Sequence, residues 1–233
     1  MGEYRGIRLN PRLSAAAALV RLGRVAADVG TDHAYLPAYL VGSGICPRCI
    51  AGDIGEGPLN NARETVCACG LEDRVELVLS DGLEDAAFRA ADDIIIAGMG
   101  GEMIAAILTR APYLRDSRYR LILQPMTRAE EVHLFLAENG FSIVEERAVT
   151  DAGKVYLILA AEYDGTVRHL SGAQPYIGLL RGVQNPDAIR FIEKQRRRFR
   201  KELKGIADLP EKADRADEVR AVLADLERAL KGA

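Results

Sequence analysis

The chain has 233 residues, 48% hydrophobic and 28% charged, with a formal net charge of −3. That composition excludes a disordered or collagen-like chain and suits one large α/β domain with a modest appendage, or two small domains. No run approaches the roughly 18 apolar residues of a membrane helix, and the short apolar stretch near the N-terminus, broken by Arg21, does not make a signal peptide, so a cytoplasmic protein is expected.

Short apolar runs alternate with amphipathic stretches from about residue 24 to 161. VAADV (25–29) reads as a buried strand, followed by a helix over about 33–41. CIAGDI (49–54) is a second strand, and the helix over 58–69 is closed by Gly70. RVELVLS (74–80) and DDIIIAGM (92–99) are the third and fourth strands, the Ile run of the latter suiting a central parallel position. A helix over 101–110, a strand over 120–125 and a helix over 128–138, capped at Asn139-Gly140, come next. Residues 141–163 then read as two strands joined at Asp151-Ala152-Gly153. Strand–helix alternation predicts a parallel sheet covered on both faces. The closing hairpin predicts the Rossmann-like variant of class I methyltransferases, in which an antiparallel strand is inserted at the sheet edge.

The texture changes after Tyr163. Residues 1–163 form the expected catalytic domain, 164–185 a Gly-rich linker or lid, and 186–233 an α-helical coiled-coil hairpin. Asn185-Pro186 is a helix start. Ile189, Ile192, Phe199, Leu203 and Ile206 make one apolar stripe, and Val219, Val222, Leu223, Leu226 and Leu230 a second.

The chemistry sits at the strand ends. The first strand runs into Asp28-Val29-Gly30-Thr31-Asp32-His33. Gly30 allows close backbone approach, and Asp28 can accept from an ammonium group. The three-glycine spacing that cradles a pyrophosphate is missing, which argues against NAD or FAD. Asp53, with Ile54 beside it, ends the second strand about 20 residues on, where an acid holds a ribose diol. Asp81-Gly82 follows the third strand and suits an adenine amino group, while Gly98-Met99-Gly100 follows the fourth, where methyl and target should meet. One such acid is commonly a helix cap. Four strand ends in this order point instead to S-adenosylmethionine, which has no phosphate to cradle.

Asp32, His33 and Asp81 are the candidate catalytic residues, because a carboxylate stabilises a cationic product ring. Gln124, ending the fifth strand, can read a base edge. Residues 187–204 hold eight Lys/Arg against three acids, a local +5 on an otherwise acidic chain. This arm, through Arg196, Arg197, Arg198 and Arg200, joins Arg5, Arg8 and Arg12 as the candidate grip on a polyanion, although a solvated helix face reads the same way. Cys46, Cys49, Cys67 and Cys69 lack good zinc spacing and are read as free thiols, with Cys49 and Cys67 in the core.

The blocks AADVGTDHAYLPAYL, IAGDIGEGPLNNAR, SDGLE, IIIAGMGGEMIAAIL and RLILQP resemble the bacterial tRNA (adenine(22)-N1)-methyltransferases, the TrmK family, over about residues 9–160. The resemblance implies cofactor contacts at Asp28, Gly30, Asp32, His33, Asp53, Asp81 and the Gly98–Gly100 turn, and a basic family position at Arg12. It implies tRNA as substrate; a monomer is favoured. Asp53 stands where Glu is as readily expected, and the Cys46–Cys49 insert is not a family feature. The rival readings are a methyltransferase of another RNA or a small molecule, and a non-catalytic RNA-binding protein on the same fold. The missing phosphate loop counts against a nucleotide-dependent oxidoreductase.

Overall fold

The structure, a computed structural model, describes residues 3–232. It opens with a two-stranded hairpin, β1 (Glu3–Tyr4) and β2 (Ile7–Arg8), and a short helix α1 (Pro11–Ala17). Neither was expected from the sequence. The signal for α1 is local: the Asn10 side chain accepts from the Leu13 N–H, and Pro11 occupies the first turn, where its missing N–H costs nothing.

The body follows as β3 (Ala26–Val29), α2 (Tyr35–Gly42), β4 (Cys49–Asp53), α3 (Glu56–Cys69), β5 (Val75–Leu79), β6 (Asp93–Gly100), α4 (Gly101–Thr109), β7 (Arg120–Thr127), α5 (Ala129–Glu138), β8 (Phe141–Asp151) and β9 (Lys154–Tyr163). The seven strands lie in the order β5-β4-β3-β6-β7-β9-β8. The first five are parallel, and β9 is inserted antiparallel to both β7 and β8. Chain order reverses between β3 and β6, so a crevice opens at their carboxyl ends, where open α/β sheets bind ligands. Ile94, Ile95 and Ile96 of β6 are wholly buried, as the middle strand of a sheet covered on both faces requires. Gly101 lets α4 approach the chain before α5, since a Cβ there would lie 2.0 Å from the Arg128 carbonyl oxygen.

Residues 164–185 contain a single turn of helix, α6 (Gln174–Ile177), and bury Ala173, Ile177 and Leu180 in the main core. Two long helices follow, α7 (Pro186–Ile206) and α8 (Ala213–Lys231). The pairs Arg200–Glu227 and Arg215–Glu202 set them side by side in opposite directions. The α8 stripe is buried as expected, apart from the half-buried Leu230. The α7 stripe needs correction: Phe191 is buried and Ile189 is 37% exposed, because α7 also packs on the sheet. It is fastened there by Thr150–Asp187, by Arg190 to the Gly153 carbonyl and by Arg198 to Glu130. No helix among the described residues is long and apolar enough to cross a membrane. Cys46, Cys49 and Cys69 are buried, but Cys67 is exposed, contrary to its expected core position. No group of residues among those described is arranged to hold a metal.

A buried ion pair fixes the 164–185 segment. His133 Nε2 lies 2.6 Å from Glu146 Oε1, Nδ1 lies 2.6 Å from the Pro175 carbonyl oxygen, and neither side chain is exposed. Both ring nitrogens face acceptors, so the geometry calls for the imidazolium form. Burial alone would lower the His133 pKa, but the Glu146 carboxylate outweighs it and holds the group above the ordinary histidine range. Glu146→Ala strands that charge and should cost about 3–5 kcal/mol in urea denaturation. A native pKa raised above the unfolded value contributes stability fully below the unfolded pKa, about 6.5, and loses it as pH rises through the native value. The stability gap between the unaltered chain and His133→Gln should therefore narrow with rising pH. A gap that does not change with pH would contradict the charged pair.

Candidate functional site

A cleft of about 370 Å³ opens at the switch point, lined by Arg12, Leu13, Asp28, Gly30 to Leu36, Ala97 and Gly98. The turn after β3 is pinned because the N–H groups of Gly30 and Thr31 both donate to the Gly52 carbonyl at the end of β4, at 2.8 and 3.0 Å. Gly30 has a φ of +82°, which favours glycine, and a Cβ there would meet Met99 Cε at 2.2 Å. Its missing side chain thus accommodates Met99, which crosses over from β6. Gly98, at φ +87°, has nothing within 4 Å of its would-be Cβ, so open space for a ligand lies beside it. The β6–β7 register shifts on either side of Met99, a bulge that turns the strand end outward into the cleft.

Asp28 is 8% exposed at the cleft floor. Desolvation raises its pKa to about 6, the Asp53 charge adds to this, and the neighbouring Thr31 hydroxyl offsets part of it. A buried carboxylate facing a cleft suits a cationic ligand. Asp53 closes the next strand; its Oδ1 accepts from the Gly55 N–H at 2.8 Å, leaving Oδ2 without a partner among the described residues. Ile54 is 70% exposed beside it, and Leu79, at the end of β5, is 55% exposed. Ile54 follows Asp53 and Leu79 is its register partner, so two exposed apolar side chains flank this carboxylate, a setting that suits a flat ring.

His33 and Tyr35 stack at the cleft mouth with centroids 5.2 Å apart, and His33 Nε2 lies 3.4 Å from Asp32 Oδ2. Arg12 enters from α1. It pairs with Asp151 at 2.9 Å, donates to Gln124 Oε1 at 2.7 Å and lies 5.2 Å over the Tyr156 ring.

Residues 9–159 match the protein family described as "Methyltransferase domain". The chain is 37% identical over 166 residues to the tRNA (adenine(22)-N(1))-methyltransferase of Bacillus subtilis, covering 68% of this chain and 70% of that one. It belongs to the tRNA (adenine(22)-N1)-methyltransferase family. The crystal structure of the B. subtilis M1A22 tRNA methyltransferase TrmK superposes with a TM-score of 0.84 at 29% identity, over 96% of this chain and 99% of that one. Streptococcus pneumoniae Sp1610 in complex with S-adenosyl-L-methionine superposes with a TM-score of 0.81 at 32% identity, over 94% and 98%.

Within this methyltransferase fold, Arg12, Asp28, Gly30, Thr31, Asp32, His33 and Gly98 share the cleft, while Asp53, Ile54, Asp81, Gly82, Met99 and Gly100 lie outside its lining. Asp81 is held bidentate by Arg110 at 2.9 and 3.0 Å, and that hydrogen-bonded charge lowers its pKa. Each of its oxygens accepts from Arg110, and, like Asp53, it lies outside the residues that line the cleft. Gly82 makes room for α4, since a Cβ there would lie 3.1 Å from Ile107. Gln124 is 1% exposed; its Oε1 accepts from Arg12 and, at 3.1 Å, from the Gly98 N–H, while Nε2 donates to the Pro125 carbonyl. It braces the site from behind. Gly100 caps α4. Arg196, Arg198 and Arg200 are paired with Glu193, Glu130 and Glu227, so the basic arm is far less free than its charge count suggests. Arg197 stays exposed without a partner among the described residues, and Arg8 lies exposed on β2. Sequence reading missed Leu13, Tyr35, Asp151 and Tyr156. Of these only Tyr35 carried a signal, through its place in the Asp32–Pro37 run.

A native Asp28 pKa near 6, against the usual 3.8, means the ionised side chain costs the fold about 3 kcal/mol above pH 7. A raised value contributes stability at low pH and loses it as pH climbs through about 6. Asp28→Asn should therefore melt no lower than the unaltered protein at pH 8 without added ligand. The same change should weaken S-adenosylmethionine binding on the order of tenfold or more, from loss of a charge-assisted hydrogen bond. Calorimetric titration and thermal melts check both, and a variant that melts lower yet binds equally well would contradict the assignment.

Proposed function

We propose that this chain transfers the methyl group of S-adenosylmethionine to N1 of adenine 22 in tRNA, acting as a monomer in the cytoplasm. The observation that carries the reading is the buried Asp28 carboxylate facing open space at Gly98, in a chain 37% identical to a curated tRNA (adenine(22)-N(1))-methyltransferase. Asp28 takes the cofactor's ammonium, Asp53 its ribose diol, and Ile54 with Leu79 the faces of its adenine. Gly30, Thr31, Gly98 and Met99 contour the wall between. The cofactor supplies an electrophilic methyl carbon on a sulfonium sulfur.

The target N1 carries a free lone pair, so the protein needs no general base for the attack. Its work is alignment and access. A paired or stacked adenine must be turned out to reach the cleft, and the exposed Tyr35, backed by His33, offers the ring on which it stacks. Base–aromatic stacking of this kind is worth about 1–3 kcal/mol. Asp32 at the mouth opposes the positive charge that N1 methylation places on the ring. Arg12, held rigid by Asp151 and Gln124, is placed to meet a phosphate of the target nucleotide.

The test is incubation with labelled S-adenosylmethionine and bulk bacterial tRNA, followed by nucleoside analysis. N1-methyladenosine is the expected product, and its absence would sink the specific reading. Tyr35→Ala should raise KM for tRNA and leave cofactor affinity within about twofold, since the lost stacking acts on the base alone.

A further inference from the structure

A second concavity lies beside the methyl-transfer cleft. Two hollows, of about 370 and 410 Å³, share Met126, Thr127, Val155, Tyr156 and Lys194, and so form one continuous trough. One wall is the tip of the β8–β9 hairpin and the other is α7. The trough is lined by Arg128, Lys154, Arg190, Lys194, Arg197 and Arg198 and by the carboxylate of Glu130, with Arg128 itself paired to Glu131 at 2.6 Å and Glu102 at 3.2 Å. Glu130 is already neutralised by Arg198 at 2.7 Å. Of the nearby acids, Asp151 is paired with Arg12, while Asp187 accepts from the Thr150 hydroxyl and keeps its charge. Arg190 and Lys194 spend one donor each on the Gly153 and Val155 carbonyls, which fixes α7 against the hairpin and leaves their remaining N–H groups to other acceptors. Lys154 and Arg197 are exposed with no ion pair among the described residues. Lys194 is pushed below the ordinary lysine range by partial burial and by the Arg198 charge, a crowding that a bound anion relieves.

The trough runs into the reaction site. Arg12, a wall of the methyl-transfer cleft, touches Met126 Sδ at 3.3 Å and lies over the Tyr156 ring, and both of those residues line the trough. A chain of phosphates in the trough therefore leads to a nucleobase in the cleft.

We infer that this trough between the β8–β9 hairpin and α7 is the channel for the ribose-phosphate strand that carries the target adenine, gripped by Lys154, Arg190, Lys194 and Arg197. The inference rests on the tRNA reading above and moves the main grip away from Arg196, Arg198 and Arg200, whose charges are internally spent. The contacts are to phosphate, so they add affinity and register without sequence discrimination.

The test reverses three of these charges in the full chain, as Lys154→Glu, Arg190→Glu and Arg197→Glu together. Its counterpart makes the same charge change at the start of α8 and along it, as Lys212→Glu, Arg220→Glu and Lys231→Glu. tRNA affinity is measured between about 50 and 200 mM salt, and S-adenosylmethionine affinity separately, which also reports folding. The trough variant should lose tRNA affinity on the order of tenfold or more, with the log–log salt slope flattened by about one per cation removed. Its cofactor affinity should be unchanged, and the α8 variant should keep most of its tRNA affinity. A milder Lys154→Gln, Arg190→Gln, Arg197→Gln set, carrying half the charge change, should show a smaller loss in the same direction. Equal losses in the trough and α8 variants, or an unchanged slope in the trough variants, would overturn the channel. If the unaltered protein binds tRNA through the trough yet forms no N1-methyladenosine, the channel stands and the proposed reaction falls.

Discussion

The site depends on one electrostatic cost, the burial of the Asp28 carboxylate at the end of β3. Its strand is flanked on both sides by parallel neighbours, and the turn after it is tied to Gly52, so the group cannot swing out to water. A charge in that position destabilises the fold unless something cationic arrives, which is why such a residue belongs to a binding site and not to a structural core. The rest of the cleft is arranged around this point. Gly30 and Gly98 adopt backbone conformations that ordinary residues avoid, and together they keep the floor thin on either side of the carboxylate.

A second network lies behind the cleft and joins parts of the chain far apart in sequence. Gln124 on β7 bridges Arg12 of α1 and the Gly98 N–H, and Asp151 from the hairpin tip holds the other side of Arg12. The bulge on β6, the N-terminal helix and the inserted antiparallel hairpin are thus set by one buried amide. The hairpin tip is thereby tied to the site, and α7 packs on that hairpin through Thr150–Asp187 and through Arg190 to the Gly153 carbonyl, which sets a cationic wall beside the cleft.

The parallel core was legible because its signals are local: the Ile run of β6, the Gly70 and Asn139-Gly140 helix ends, and an acid or glycine at each strand terminus. Strand–helix alternation made the parallel sheet with two covered faces legible, and the closing hairpin its antiparallel strand, but not the order of the strands. What could not be read depends on contacts between distant segments. Nothing nearby in sequence reveals the Arg110 partner of Asp81, and Gln124 looked outward because its two partners lie 112 and 26 positions away. The arginines of α7 looked free for the same reason: the acids that pair with Arg198 and Arg200 sit on other helices. Phe191 was left out of the stripe and Ile189 placed in it because α7 buries two faces, one on α8 and one on the sheet, where a single stripe was assumed.

The central claim is that the buried Asp28 charge is matched by the cofactor's ammonium. The direct measurement is the proton inventory of S-adenosylmethionine binding, from calorimetry in buffers of different ionisation enthalpy across the pH range around 6. With a pKa of about 6 before binding, pairing with a cation should drive the proton off Asp28. Up to about half a proton should then be released near pH 6, little above pH 8, and none in Asp28→Asn. Binding with no proton release near pH 6, or the same release in Asp28→Asn, would contradict the account.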